Sequence, residues 1–209
     1  MQSKMKMQTE STEQSKPSLQ RNIMIVGVGG QGTLLTSRIL ANLAIGLDFD
    51  VKVSEVHGMA QRGGSVVTFV RIGDEIYEPI VEVGQADILL AFEELEARRY
   101  LHYLKPGGTL VVNLQRILPM PVTIGAMAYP EGMIPEMQQA CKTVAVNATQ
   151  LARDVGNLRT FNAVLLGQLA RHLDLPYEAW INAVEKSVPP KTKEVNLRAF
   201  VCGYNLEEA

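Results

Sequence analysis

The chain has 209 residues, a length that allows one large domain whose apolar core needs no disulfide or metal support. Lysine and arginine total 20 and aspartate and glutamate total 22, so the net charge of −2 argues against the basic surface of a nucleic-acid-binding protein. Two cysteines, Cys141 and Cys202, are too few for an iron–sulfur cluster and lack zinc-site spacing, which indicates free thiols in a reducing cytoplasm.

The first 20 residues are mostly polar and contain no apolar run of the length that a secretory signal requires. The longest uncharged stretch, residues 22–37, is shorter than the roughly 20 apolar residues that cross a bilayer. We therefore expect a disordered tail at residues 1–20, a single domain at residues 21–205, a cytoplasmic location and no contact with a membrane.

The first predicted unit is a strand, a glycine turn and a helix. Apolar residues 23–26 predict a buried strand, and from Thr33 onward the apolar side chains recur with helical spacing. The alternating segment 51–54 predicts a second strand, followed by a glycine-containing loop at residues 55–64. Residues 65–72 predict a third strand, with a turn into a short antiparallel strand at Ile76–Tyr77.

The next predicted unit is a strand at residues 88–92, a helix at 93–103 and a strand at 109–112. Acidic residues at the helix start suit the helix dipole, and we interpret Glu93, Glu94 and Glu96 as solvent-exposed. Residues 105–108, Lys-Pro-Gly-Gly, predict the end of that helix.

Four prolines between residues 117 and 135 predict a long loop with a short strand at 122–124. The remaining pattern predicts a strand at 143–146 and helices at 149–155, 160–173, 177–187 and 194–204. Together these elements predict an α/β fold: a Rossmann-like, doubly wound, mostly parallel sheet with an antiparallel hairpin and a helical C-terminal part.

The glycine turn matches the pattern G-x-G-x-x-G through Gly27, Gly29 and Gly32, after a strand and at the start of a helix. Unpaired N–H groups at a helix start attract anions, so the candidate ligand or partner contacts here include Gly30 and Gln31. A nucleotide, another anion or a partner, and close helix–strand packing without a ligand all remain open.

The loop after the second strand brings further polar groups to the same edge of the sheet. Glu55 lies 23 residues after Gly32, where dinucleotide-binding folds place a ribose-binding acid. His57 and Arg62 suit an anion or an interface, because a guanidinium can bind both oxygens of a carboxylate or phosphate. The remaining candidates of this edge are Gln61, Gly63 and Gly64. An ordinary polar surface loop is the alternative, and we identify neither a catalytic residue nor a set of metal ligands.

These runs carry a resemblance. Residues 26–32, 54–66, 86–93, 103–108 and 162–167 resemble the gamma-domain family of 2-oxoacid:ferredoxin oxidoreductases, and within it the small (beta) subunits of the indolepyruvate-type enzymes. The likeness extends over about residues 22–205, with residues 116–135 less similar.

The resemblance implies an oxidoreductase that acts only together with a larger subunit. An arylpyruvate, coenzyme A and oxidised ferredoxin would yield an aryl-acetyl-CoA, CO2 and reduced ferredoxin. The larger subunit would hold thiamine diphosphate and the iron–sulfur clusters, whereas this chain would bind no cofactor alone and would meet coenzyme A and ferredoxin through the complex. The alternatives are a stand-alone dinucleotide-binding dehydrogenase, a methyltransferase-like Rossmann protein, and a pure scaffold module.

Overall fold

A computed structural model describes residues 19–58 and 63–207, which build one six-stranded sheet covered by helices on both faces. The strands are β1 (Gln20–Val28), β2 (Asp50–His57), β3 (Ser65–Gly73), β4 (Ala86–Ala91), β5 (Leu104–Asn113) and β6 (Lys142–Val146). Their order is β2-β3-β1-β4-β5-β6. Strands β1, β4, β5 and β6 run parallel, whereas β3 is antiparallel to both β1 and β2. The mostly parallel α/β fold with an antiparallel hairpin is thereby confirmed.

Eight α-helices connect and follow the strands. They are α1 (Thr33–Gly46), α2 (Glu94–Tyr100), α3 (Met120–Thr123), α4 (Met133–Ala140), α5 (Ala148–Val155), α6 (Phe161–Ala170), α7 (Tyr177–Ser187) and α8 (Lys193–Tyr204) in the described part of the chain. Helices α1 and α5–α8 cover one face of the sheet, and α2 and α4 cover the other. No helix in the described ranges combines the length and apolar character that crossing a bilayer demands.

Each strand contributes side chains to the cores on both faces of the sheet, because successive side chains point to opposite sides. Ile23 and Ile25 of β1 join the core under the five-helix layer, whereas Met24 and Val26 join the core under α2 and α4. All four side chains are completely buried. The unbroken apolar run at residues 23–26 therefore marks a central strand that is covered on both faces.

The antiparallel element differs from the prediction. Ile76–Tyr77 forms no strand, and the hairpin consists of β2 and β3 instead. Ile76 packs back on the fold, where its N–H donates to Asp50 Oδ2 at 2.9 Å. Since the loop that joins β2 to β3 is short, antiparallel pairing is the geometry it allows.

Three local predictions were also wrong. Residues 122–124 form no strand: helix α3 ends at Thr123 and Ile124 is its C-cap. A further helix, α4, begins at Met133 inside the predicted proline loop. Residues 105–108 belong to β5, where the register with β4 shifts between the pairs Ala86–Leu104 and Ile88–Thr109. Glycines that would end a helix are here absorbed as a bulge in a strand.

The predicted tail lies almost wholly outside the described residues. The first strand begins at Gln20 and the last helix ends at Tyr204. The division into a tail at 1–20 and one domain at 21–205 stays a prediction.

Candidate functional site

The predicted site lies where β1 and β2 end. Both strands are antiparallel to β3, so they run parallel to each other and their carboxyl ends reach the same edge of the sheet. A cavity of about 430 Å³ opens there. Its walls are formed by Gly29, Gly30, Gly32, Thr33, Leu34, Glu55, His57 and Val66. Five of the residues predicted from the sequence therefore share one cavity.

The glycine turn opens the start of α1 to this cavity. Gly32 is the N-cap residue with φ of 92°, a backbone conformation that glycine adopts without strain. No side chain caps the helix, so the first N–H groups remain available beside Thr33 and Leu34. A Cβ atom on Gly32 would lie 2.6 Å from Asn162 Nδ2, so the Asn162 side chain of α6 would have to shift for any other residue here.

Gln31 has a different role from its neighbours, because it is buried within the turn. Its Oε1 accepts from the N–H of Val28 at 2.7 Å, and its Nε2 donates to the carbonyl of Phe92 and to Gln115 Oε1, both at 3.1 Å. A Cβ on Gly27 would lie 2.7 Å from the same Oε1. The amide of Gln31 is therefore engaged inside the fold, where it links β1 to the chain after β4 and β5.

Glu55 supplies the carboxylate of the cavity. Its Oε2 accepts from the hydroxyl of Thr68 at 3.1 Å and from that of Thr33 at 3.3 Å, which holds it beside the start of α1. The side chain of Glu55 is otherwise exposed, as is that of His57 at the end of β2. The negative charge of Glu55 offsets part of the positive potential at the helix start. The cavity therefore suits a group that offers hydroxyls to Glu55 as well as an acceptor to the backbone N–H groups.

The end of the β2–β3 loop contacts the glycine turn. The N–H of Gly29 donates to the carbonyl of Gly64 at 2.9 Å, so the glycine turn and the β2–β3 loop are directly bonded. Gly63 contributes to the wall of a second cavity, described below. Gln61 and Arg62 fall outside the described residues.

A second cavity of about 300 Å³ lies at the ends of β1 and β4. These adjacent parallel strands are followed by helices on opposite faces, which makes their carboxyl ends the switch point where open α/β sheets form clefts. The cavity is bounded by Val28, Gly63, Glu93, Leu95, Glu96, Arg99, Ile117, Leu118, Pro119, Met120 and Thr123. Sequence patterns did not point to this cleft, because its walls come from segments distant in the chain.

The acidic start of α2 forms the floor of this region, and its predicted exposure was wrong. Glu93, Glu94 and Glu96 are only 1%, 6% and 3% exposed. Buried carboxylates require partners, and each of these has them. The signal that was available is the spacing of Glu93 and Glu96: the carboxylate of Glu93 caps the helix by accepting from the N–H of Glu96 at 2.8 Å.

Glu93 also binds the loop between β5 and α4 through hydrogen bonds. Its Oε1 accepts from the hydroxyl of Tyr129 at 2.8 Å and from the N–H of Ile117 at 3.2 Å. Burial, reinforced by the hydrogen bond to the Glu93 carboxylate, raises the pKa of Tyr129 well above its usual range. The phenol therefore stays protonated at physiological pH and keeps donating to Glu93.

Glu96 links α2 to the start of β3. The hydroxyl of Ser65 donates to Glu96 Oε2, and Arg99 donates to Oε1 at 2.7 Å. Burial raises the pKa of Glu96, although the Ser65 hydroxyl and the Arg99 guanidinium act in the opposite direction. The carboxylate therefore costs folding free energy when it is charged.

Neither cavity offers the groups of a metal or thiol site. Within residues 19–58 and 63–207, no group of three or more histidine, cysteine, aspartate or glutamate side chains is placed to hold a metal ion. Cys141 and Cys202 are free and only half-buried.

Comparison with known proteins shows the family of the chain. Residues 22–206 match the pyruvate ferredoxin/flavodoxin oxidoreductase family. Indolepyruvate oxidoreductase subunit IorB from Thermococcus kodakarensis is 42% identical over 190 residues, which cover 87% of this chain and 93% of that protein. This match favours an oxidoreductase subunit over the dehydrogenase and methyltransferase alternatives.

Solved structures agree. The keto/oxoacid ferredoxin oxidoreductase gamma subunit from Geobacter sulfurreducens is similar with a TM-score of 0.66 and 30% identity, covering 88% of this chain and 96% of that chain. The 2-oxoglutarate:ferredoxin oxidoreductase from Magnetococcus marinus, whose structure holds coenzyme A, shares the fold with a TM-score of 0.66 at 20% identity, over 91% of this chain and 32% of that chain. The chain therefore belongs to the pyruvate ferredoxin/flavodoxin oxidoreductase family, with the fold of its gamma subunits.

Proposed function

We propose that this chain is the small subunit of an indolepyruvate (arylpyruvate) ferredoxin oxidoreductase and works only with a larger subunit. The observation that carries the proposal is the 42% identity to the IorB subunit of Thermococcus kodakarensis, which extends over 93% of that protein. In the reaction, the carboxylate of the 2-oxoacid leaves as CO2 and the acyl carbon is oxidised. That carbon is transferred to the thiol of coenzyme A, and its electrons reduce ferredoxin.

The division of labour follows from what this chain can hold. With two cysteines in the sequence, it cannot supply the four thiolates that an iron–sulfur cluster usually requires. We therefore assign the clusters to the larger subunit, and the resemblance to 2-oxoacid:ferredoxin oxidoreductases implies that thiamine diphosphate is bound there as well. This chain contributes a shaped surface next to that chemistry, in the cytoplasm.

The surface we assign to the partner is the edge that carries the first cavity, from Gly29 to Gly32 and from His57 to Arg62. The uncapped start of α1 provides N–H donors, and Glu55 provides an acceptor. Phosphate and ribose hydroxyls need this combination, and coenzyme A carries both. The coenzyme A seen in the Magnetococcus marinus enzyme is a property of that protein and motivates the test here.

Reconstitution tests the proposal. We expect the chain to form a stable complex when it is co-expressed with the candidate large subunit. Reduction of a dye by that complex should depend on indolepyruvate and coenzyme A, while each subunit alone stays inactive. A chain that remains alone yet binds a dinucleotide tightly would instead support the dehydrogenase alternative.

A pair of variants tests the assigned edge. We expect Arg62→Ala to raise the KM for coenzyme A or to weaken assembly, whereas the control Arg198→Ala, on the exposed side of α8, changes neither. If both the KM and assembly are unchanged in Arg62→Ala, this edge serves neither coenzyme A nor the partner.

A further inference from the structure

One loop at the carboxyl edge exposes apolar side chains that the monomer leaves uncovered. Residues 117–129, here called the apolar loop, connect β5 to α4. Leu118, Met120, Ile124 and Met127 are 54%, 70%, 69% and 65% exposed. Residues 117–130 contain no charged side chain. Exposed apolar side chains on a segment without charged residues mark this loop as a candidate interaction surface.

The apolar loop is held in shape by the buried carboxylates of α2. Its first residue, Ile117, and its last, Tyr129, both donate to Oε1 of Glu93. Arg116, just before the loop, donates to Glu94 Oε2 at 3.1 Å and lies 5.5 Å from the centre of the Tyr129 ring. The two ends of the loop are therefore closed on one helix.

Hydrogen bonds within the loop order it further. The N–H of Ala126 donates to the carbonyl of Pro121 at 2.8 Å, and the hydroxyl of Thr123 donates to the carbonyl of Pro119 at 3.2 Å. A surface that is ordered before binding loses little conformational entropy when a partner covers it. The exposed methionines are therefore presented in a preformed arrangement.

The chemistry of the apolar loop selects the kind of partner. Four such side chains present on the order of 400 Å² of apolar surface, about half of what one partner contributes to a stable interface. Interface cores are enriched in methionine and depleted of charge, especially in permanent complexes. An electron carrier such as ferredoxin must dissociate after each transfer and is steered by charged groups, which this loop lacks.

The apolar loop is also continuous with the edge discussed above. Gln31 of the glycine turn bonds to Gln115, two residues before the loop, at 3.1 Å. Leu118 and Met120 form part of the second cavity, together with Gly63 of the β2–β3 loop. A partner that covers the apolar loop would therefore reach both loops at the ends of β1 and β2.

We propose that the apolar loop is the docking surface for the larger subunit of the enzyme, and that it seats against an uncharged, apolar face of that subunit. This inference rests on the proposed function, since it names the surface through which that complex is held. The charged groups around it, Arg116, Glu93 and Glu94, position the loop and are not themselves covered contacts.

The test compares two nearly isosteric changes with a control. Met120→Gln/Met127→Gln keeps side-chain length but makes the loop polar, and Ile45→Gln makes the same kind of change at a 62% exposed position at the end of α1. Each variant is titrated against the tagged large subunit, and circular dichroism melting checks that it folds. We expect the double variant to weaken assembly by on the order of 100-fold, because it removes two central apolar contacts. The control should assemble like the wild type.

The outcomes separate the two proposals. If the wild-type chain does not bind the large subunit, the proposed function fails and this inference fails with it. If the wild type binds and the folded double variant binds equally well, the proposed function stands and the docking surface is elsewhere. A wild-type chain whose self-association alone is lost in the double variant would assign the apolar loop to a second copy of this chain and overturn the inference.

Discussion

The two faces of the sheet are covered by different kinds of contact. The face under α1 and α5–α8 is closed by apolar packing, with Trp180 and Phe200 completely buried and their rings 6.0 Å apart. Helices α6 and α8 touch through their backbones, because Gly167 faces the Phe200 carbonyl and Gly203 faces the Val164 carbonyl. This layer buries most of its large apolar side chains, and Leu34 and Ile45 of α1 are exceptions that stay exposed.

The face under α2 and α4 is thinner and is organised by buried polar groups. Glu93, Glu94 and Glu96 bind the segments that lead into the apolar loop and into β3. The same edge leaves Met120 and Ile124 more than two-thirds exposed. The helices on one face therefore stabilise the fold. The helices on the other face position loops whose apolar side chains stay exposed in the single chain.

The largest loss of stability should come from placing a side chain where the backbones of α6 and α8 touch. A Cβ on Gly167 would overlap the Phe200 carbonyl and lie 2.6 Å from Tyr204 N, and neither backbone atom can move aside alone. We expect Gly167→Ala to lower the free energy of unfolding by about 3 kcal/mol in urea denaturation. Gly46→Ala is the control, because the space around Gly46 is open. A Gly167→Ala protein as stable as this control would show that α6 and α8 can separate freely.

A smaller effect is expected on the polar face. Glu93→Ala leaves the Tyr129 hydroxyl and the N–H groups of Ile117 and Glu96 without their acceptor. We expect a loss of about 2 kcal/mol, since an unsatisfied buried donor costs roughly 1–3 kcal/mol and water can reach part of this site. Chemical denaturation measures it, with Glu178→Ala as the exposed control. Equal stability of the two variants would mean that Glu93 does not hold the apolar loop.

The smallest effect concerns pH. Because burial raises the pKa of Glu96 above 4.5, the folded chain holds this proton more tightly than the unfolded chain. The contribution of Glu96 to the free energy of unfolding therefore falls as pH rises from 4.5 through the raised pKa. Glu96→Gln removes the titrating group, so its stability relative to the wild type should improve over that window in urea titrations. Glu178→Gln controls for loss of a charge at the surface, and a pH-independent difference for Glu96→Gln would contradict the expectation.

Much of the fold could be predicted because its signals are local. The apolar run at residues 23–26, the glycine turn and the helix after it depend on neighbours in the chain. The same holds for the strands and helices that alternate afterwards. The predictions failed at Ile76–Tyr77 and at residues 122–124, where a short apolar segment suits a strand or a helix equally and tertiary contacts decide.

By itself, the sequence determined a Rossmann-like α/β domain and a glycine turn at the edge of its sheet, together with a cysteine count too low for an iron–sulfur cluster. It also determined that Glu55 and His57 lie near that turn, since the carboxyl ends of parallel strands meet at the same edge of the sheet. Only the tertiary structure decided that Gln31 is an internal link and that Glu93 is buried and bonded to Tyr129, 36 positions away. A helix start looks solvent-exposed in sequence, and only the loop folded over it buries the Glu93 carboxylate, which then accepts hydrogen bonds from that loop.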